Sequence, residues 1–175
     1  MSHVYHRVPE HMVGDVLYPM NQLKEVDERL YQLYKSGYEG RERLLERTIP
    51  FLHCLWNDVL HCSPVHPQKI KEAMIEIGLA DHVPTFDFFE IDTNTDVDMS
   101  KAVIFYRHGD RPDDISFQKA SEVDIDKLNA VPELTRNYYE SLVANNESPF
   151  VYQFIPHFLY KGLIDTRNLK RIILS

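Results

Sequence analysis

Four consecutive apolar residues, Ala102-Val103-Ile104-Phe105, lie between a polar stretch, Thr93 to Ser100, and a charged one, Arg107 to Asp114. A short apolar run bounded in this way predicts a buried central strand over Lys101 to Tyr106, because a strand with one wet face would alternate. Val83 to Asp92 reads as another strand. Val4-Tyr5-His6-Arg7-Val8 alternates, ends at Pro9 and reads as the first. Alternation puts Val4, His6 and Val8 on one face, with Tyr5 and Arg7 on the other.

Helical periodicity fills much of the remainder. Met20 to Tyr34 carries Met20, Leu23, Val26, Leu30, Leu33 and Tyr34 near helical spacing and stops at Ser36-Gly37. Arg41 to Arg47 is charged enough to be a solvated helix face. Thr48 before Pro50 predicts a helix start, with Phe51, Leu52, Leu55 and Val59 as its apolar stripe and Ser63-Pro64 as its end. Pro67 opens a further helix with Ile70, Ala73, Met74 and Ile77 inward and Gly78 as its stop, and Val131 to Ala144 reads as the last. Phe150 to Leu159 is β-rich but interrupted by Pro156, Asn168 to Ile172 is a short helix or extended piece, and Ile172-Ile173-Leu174 ends the chain apolar. The expectation is one α+β domain over residues 1–175, with a mixed or antiparallel sheet of five or six strands and helices gathered from the first half.

Composition narrows the function classes. A hydrophobic fraction of 43% and an aromatic fraction of 11% belong to a chain that buries a core rather than a disordered one. A formal charge of −8 and a pI near 5.5 argue against general duplex nucleic-acid binding, which needs a basic surface. Two cysteines eight positions apart make no disulfide framework, and a reducing, cytoplasmic setting is expected. No apolar run of about 18 residues predicts a membrane span, and Met1-Ser2-His3 does not open a secretory signal.

Polar chemistry is densest in Cys54 to Pro67, which holds the sole tryptophan, Trp56, both cysteines, His61 and His66. With His53 it offers candidate metal donors, yet it has neither the cysteine spacing of a zinc ribbon nor a His-Glu-x-x-His pair. If residues 53 and 61 share a helix they lie on one side of it. No metal ligand is assigned. Cysteine in such surroundings is more often core than nucleophile.

Two strings resemble known families. Arg107-His108-Gly109-Asp110-Arg111 follows an apolar strand and resembles the signature of the histidine phosphatase superfamily, in which such a histidine attacks phosphorus and arginines hold the oxygens. Only 64 residues follow Arg111, and His157 is the one later histidine. The second likeness runs along the chain: Val4-Tyr5-His6-Arg7-Val8, Leu60-His61-Cys62-Ser63-Pro64, the pair around Phe88-Glu90-Asp92 and Val103-Phe105, and Tyr152 to Ile164. This order is similar to the ADP-ribosyltransferase superfamily, especially small members with a first-strand histidine. The resemblance implies a split, strongly bent sheet, NAD as substrate, and transfer of ADP-ribose to an acceptor, such as a protein. Carried over by position, His6 and His157 become the catalytic candidates, with Tyr5, Arg7 and Ser63 as cofactor contacts. Tyr139, or its neighbour Tyr138, is the candidate to stack on nicotinamide. The late-strand position, a glutamate in that family, is His157 here.

A bland reading covers much of the same ground. His6 between two valines can be a core histidine bonded to a backbone carbonyl. Tyr152, Phe154, Phe158 and Tyr160 can be an ordinary core stripe. The protein is then an α+β interaction or regulatory module without catalysis.

Overall fold

The structure is a computed structural model that describes residues 1–174. The chain runs β1 (His3–Arg7), β2 (Val16–Leu17), α1 (Met20–Val26), α2 (Glu28–Ser36), β3 (Thr48–Ile49), β4 (Cys54–Leu55), β5 (Leu60–Cys62) and α3 (Pro67–Ile77). It continues through β6 (Phe88–Asp92), β7 (Ala102–Arg107), β8 (Ile115–Lys119), α4 (Glu133–Val143), β9 (His157–Tyr160), β10 (Ile164–Asp165) and β11 (Lys170–Ile172). Among the described residues these make one α+β domain of four α-helices and several small sheets, with every strand pair antiparallel. No helix among them is long and apolar enough to cross a membrane.

Instead of one sheet of five or six strands, two main sheets form, in the orders β1-β6-β11 and β5-β9-β7-β8. They meet edge to edge at one bridge, where Tyr5 N–H donates to the Ser63 carbonyl and Ser63 N–H to the Tyr5 carbonyl, both at 2.8 Å. Beyond it, His6 and Arg7 pair only with β6, and His61 and Cys62 only with β9. The sheets therefore part at these residues.

Ala102 to Phe105 is the buried central strand expected, flanked by β9 and β8. The expected helix over 51 to 62 does not form. Thr48↔Leu55 and Ile49↔Cys54 pair as a small ladder, Phe51 and His53 turn its corner with φ of 69° and 49°, and Leu60–Cys62 is claimed by β9. Of the expected stripe only Leu52 and Val59 are buried, with Trp56 beside them, while Phe51 and Leu55 are exposed, so tertiary packing overrides helical spacing. The expected helix over Met20 to Tyr34 is broken at Asp27, whose extended backbone ends α1 and whose carboxylate accepts from Leu30 N–H to cap α2. The helix at Pro67 forms as expected: His66 Nδ1 accepts from Gln68 N–H, Pro67 occupies the first turn, and Gly78 closes it with φ 112°.

One apolar cluster runs beneath both sheets, from Val4 and Ile91 through Ile104 and Phe158. On the opposite face the apolar residues fall into separate groups. Tyr5, Phe88 and Leu174 cover the three-stranded sheet, while Trp56, Val103, Phe105 and Leu159 cover the other. The cavities described next lie between these groups.

Candidate functional site

Antiparallel strands send alternate side chains to alternate faces, and in the four-stranded sheet this sorts chemistry as well as polarity. Leu60, Cys62, Phe158 and Tyr160 enter the shared core. Their neighbours His61 and His157 go to the other face, where the two sheets part. There Tyr5, Arg7, His61, Cys62, Ser63, Phe88, Tyr152 and His157 line a cavity of about 140 Å³. A second cavity of about 300 Å³ shares His61, Tyr152 and His157 and adds Tyr38, Arg41, Arg47, Trp56, Phe105 and Arg107. The two form a groove along the open face, with the imidazoles at their common wall.

Both imidazoles are neutral at physiological pH. Burial lowers the His61 pKa to about 3, with the nearby His157 and His6 adding to the effect. Burial lowers His157 to about 4, although the Tyr152 backbone favours its protonated form. His61 Nε2 lies 2.8 Å from the Trp56 carbonyl, which can only accept, so Nε2 carries the proton and Nδ1 the lone pair. His157 Nδ1 is buried without a hydrogen-bond partner. Trp56 holds both rings, its centroid 4.7 Å from His61 and 6.4 Å from His157. The arrangement offers a lone pair, a buried ring nitrogen with no partner and an aromatic wall. No carboxylate lines either cavity.

Four expected site residues, Tyr5, Arg7, Ser63 and His157, are brought together from three distant segments. Each has its own constraint. Burial beside Glu90 and Asp126 pushes the Tyr5 hydroxyl up to about 12, so it stays a neutral donor. The Arg7 guanidinium lies 3.3 Å above the Phe86 ring centroid. Ser63 Oγ donates to the Val65 carbonyl and accepts from Val65 N–H, both at 3.0 Å. Its hydroxyl thus holds the turn into α3, and its backbone holds the two sheets together.

His6 is on the other side of β1. It lines a separate cavity of about 250 Å³ with Tyr18, Tyr34, Tyr38, Asn57 and His61. Its Nδ1 is 2.6 Å from the Arg7 carbonyl, and burial lowers its pKa to about 4. His6 and His157 thus do not face one hollow; His61 stands between them and borders both. Tyr139 is fully buried among Val65, Ile70 and Ile155, with its hydroxyl donating to the Val151 carbonyl. A ring so enclosed cannot stack on a ligand. Tyr138 is only half-buried, but it lines neither cavity of the groove: its hydroxyl accepts from Phe150 N–H and its ring packs edge-on against Phe154. Tyr152, with Tyr5 and Phe88, supplies the aromatic surface of the first cavity instead.

The other candidates are dispersed. His53 is exposed beside Cys54 on a different cavity, His66 caps α3, and Cys62 is a buried thiol whose pKa burial raises. Among the described residues no group of three or more His, Cys, Asp or Glu could hold a metal ion. The Arg107-His108-Gly109-Asp110-Arg111 string forms the β7–β8 turn. His108 stacks on Tyr106 with ring centroids 5.9 Å apart and meets Ser116 Oγ at 2.7 Å, so only Arg107 of the string reaches the groove.

Fold and site together define an α+β domain with a groove of neutral imidazoles, arginines and aromatic rings at the parting of two sheets. Compared with protein-family models, curated proteins and solved structures, the chain matches none of them.

Proposed function

We propose that the groove binds NAD and that the protein is an ADP-ribosyltransferase-like domain, acting on an acceptor of unassigned identity. The observation that carries the reading is the convergence of Tyr5, Arg7, Ser63 and His157 on one cavity, beside a bridge after which two antiparallel sheets separate. These residues lie at the strand positions where the family resemblance puts nucleotide contacts. Nicotinamide, planar and apolar, suits the compartment of Tyr5, Phe88 and Tyr152, with Arg7 at its rim.

In transfer, the acceptor's nucleophile forms a bond to the anomeric carbon of the nicotinamide ribose. The glycosidic C–N bond breaks, its electron pair passes to the ring, and nicotinamide leaves neutral. The acceptor's proton goes to the free lone pair of a neutral imidazole, His157 or the Nδ1 of His61, although burial disfavours the imidazolium that results. His6 borders the next cavity and has no contact role in this step.

One observation favours a second reading, a ligand-binding or regulatory module without catalysis. With no carboxylate in either cavity, nothing of fixed negative charge stabilises the cationic sugar that forms as the bond breaks. The two readings separate in one experiment. NAD, ADP-ribose and nicotinamide are titrated into the protein in a thermal-shift series, and nicotinamide release is followed by chromatography. A ligand that binds only the folded state raises the melting temperature by mass action. A shift with NAD that disappears in His157→Ala, together with nicotinamide release, supports the transferase. A shift without release supports the module. The absence of any shift at millimolar NAD overturns the nucleotide reading.

A further inference from the structure

Among the charged side chains of this acidic chain, three arginines stand apart. Arg41, Arg47 and Arg107 line one cavity of about 300 Å³, and among the described residues none of them forms an ion pair. They come from separate places: Arg41 follows the end of α2, Arg47 leads into β3, and Arg107 ends β7. Arg41 donates to the Gly37 carbonyl at 2.8 Å and lies over the Tyr38 ring. Arg107 donates to the carbonyls of Gly109 and Asp110 at 3.1 and 3.3 Å, which aims its plane while leaving most of its N–H donors free. Arg47 is half-buried over the rings of Trp56 and Phe105, 5.0 and 5.8 Å from their centroids.

Like charges gathered without a counter-charge repel one another, and burial adds to the cost. At Arg47, burial first and the charges of Arg107 and Arg43 next loosen the hold on the proton. In a chain of net charge −8, carboxylates were plentiful, yet none lines this cavity. Glu42, beside Arg41 in sequence, turns back to accept from Gly40 N–H. The remaining lining is aromatic or neutral, including Tyr38, Trp56, Phe105 and Phe154. Guanidinium forks facing an aromatic-walled hollow match the oxygens of phosphate, and the net acidity of the chain disfavours a long polyanion.

We infer that Arg41, Arg47 and Arg107 form a phosphoanion subsite that takes the diphosphate of a small ester-linked ligand. The assignment deepens the nucleotide reading above, because the cavity shares His61, Tyr152 and His157 with the nicotinamide compartment. A diphosphate seated on the arginines places an attached ribose at the imidazoles. The subsite stands on its own geometry, however, and does not require that the ligand be NAD.

The test is isothermal titration of inorganic pyrophosphate, ADP-ribose, nicotinamide and NAD into the wild-type chain and into Arg47→Gln, Arg107→Gln and Arg47→Lys. Far-UV circular dichroism and the unliganded melting temperature confirm that each variant is folded. Pyrophosphate and ADP-ribose are expected to bind the wild type, more weakly as salt rises, and at least tenfold more weakly in both glutamine variants. Arg47→Lys should retain part of the affinity, since it keeps the charge and loses the fork. Pyrophosphate that fails to bind at millimolar concentration, or binds folded Arg47→Gln and Arg107→Gln as well as wild type, overturns the inference. NAD binding with no pyrophosphate site leaves the nucleotide reading standing without this subsite. Pyrophosphate binding that depends on Arg47, with no NAD binding, establishes the subsite and removes NAD as its ligand.

Discussion

On one face of the paired sheets, Val4 and Ile91 continue into Ile104 and Phe158 as a single apolar cluster. On the other, the cluster around Tyr5 and Phe88, with Tyr152 packed on it, stops before the cluster around Trp56 and Phe105 begins, and the interval holds His61 and His157. The same strands serve both faces. β5 gives Leu60 and Cys62 to the sealed side and His61 to the open one, and β9 gives Phe158 and Tyr160 against His157. The contrast shows how a small sheet divides labour: continuous apolar contact stabilises the joint, and a break in it leaves room for neutral polar groups. A single backbone bridge, Tyr5 with Ser63, is enough to join the sheets because the sealed face holds them from beneath.

The contrast can be broken most forcefully from the sealed side. Phe158 is fully buried, so Phe158→Ala should cost about 3–5 kcal/mol in urea denaturation through lost transfer energy and a cavity. A loss below about 1 kcal/mol would show that the shared cluster does not hold the sheets together.

Next in size is the response to acid. Folded His6, His61 and His157 are held near 4, 3 and 4, against an ordinary 6.5. Between pH 6.5 and about 4 the unfolded chain therefore binds protons that the folded chain does not, so stability is complete above 6.5 and falls as pH falls. The loss should be on the order of 1 kcal/mol per pH unit for each ring, and smaller where water reaches it. Denaturation midpoints at pH 7, 6 and 5 measure it, with His61→Gln giving the flatter profile. Equal midpoints across that range would mean that the rings are solvated and the open face is not a low-dielectric groove.

A smaller effect sharpens the boundary between core and site. Tyr139→Phe removes the hydroxyl that donates to the Val151 carbonyl and should cost about 1 kcal/mol. Its thermal response to NAD should match wild type, and a lost response would return Tyr139 to the ligand contacts.

The smallest change in stability is expected at His157. Its Nδ1 is buried without a partner, so His157→Leu should leave stability at pH 7 within about 0.5 kcal/mol or raise it, while abolishing the thermal shift with NAD. A large loss of stability would show that the imidazole is a structural element instead.

Elements marked by strong local signals were legible in advance. The central strand announced itself as an uninterrupted apolar run, and α3 by a proline at its start and a glycine at its stop. Strand β8 went unread although Ile115 and Phe117 alternate with Ser116 and Gln118, because it is half-exposed and follows a charged turn. In the site, Tyr5, Arg7 and His157 were within reach of strand alternation and family resemblance. Arg47 carried no such signal: it ends a charged segment indistinguishable from a solvated helix face. His6 follows from the family resemblance alone, and the bond from its ring to the Arg7 carbonyl matches the core-histidine reading of a histidine between valines.

By itself the sequence determined which segments would be strand or helix wherever period, proline and glycine agreed, since those preferences act within a few residues of chain. It also determined the α+β class and the absence of a long apolar span. Only the tertiary structure decided that residues 51–62 would pair as short strands instead of coiling, and that His61 would stand between His6 and His157. The β3–β4 ladder is local, but the pairing of Leu60–Cys62 and the placing of His61 depend on β9, nearly a hundred residues away in the chain. Pairing across such a distance leaves no periodic trace in either partner.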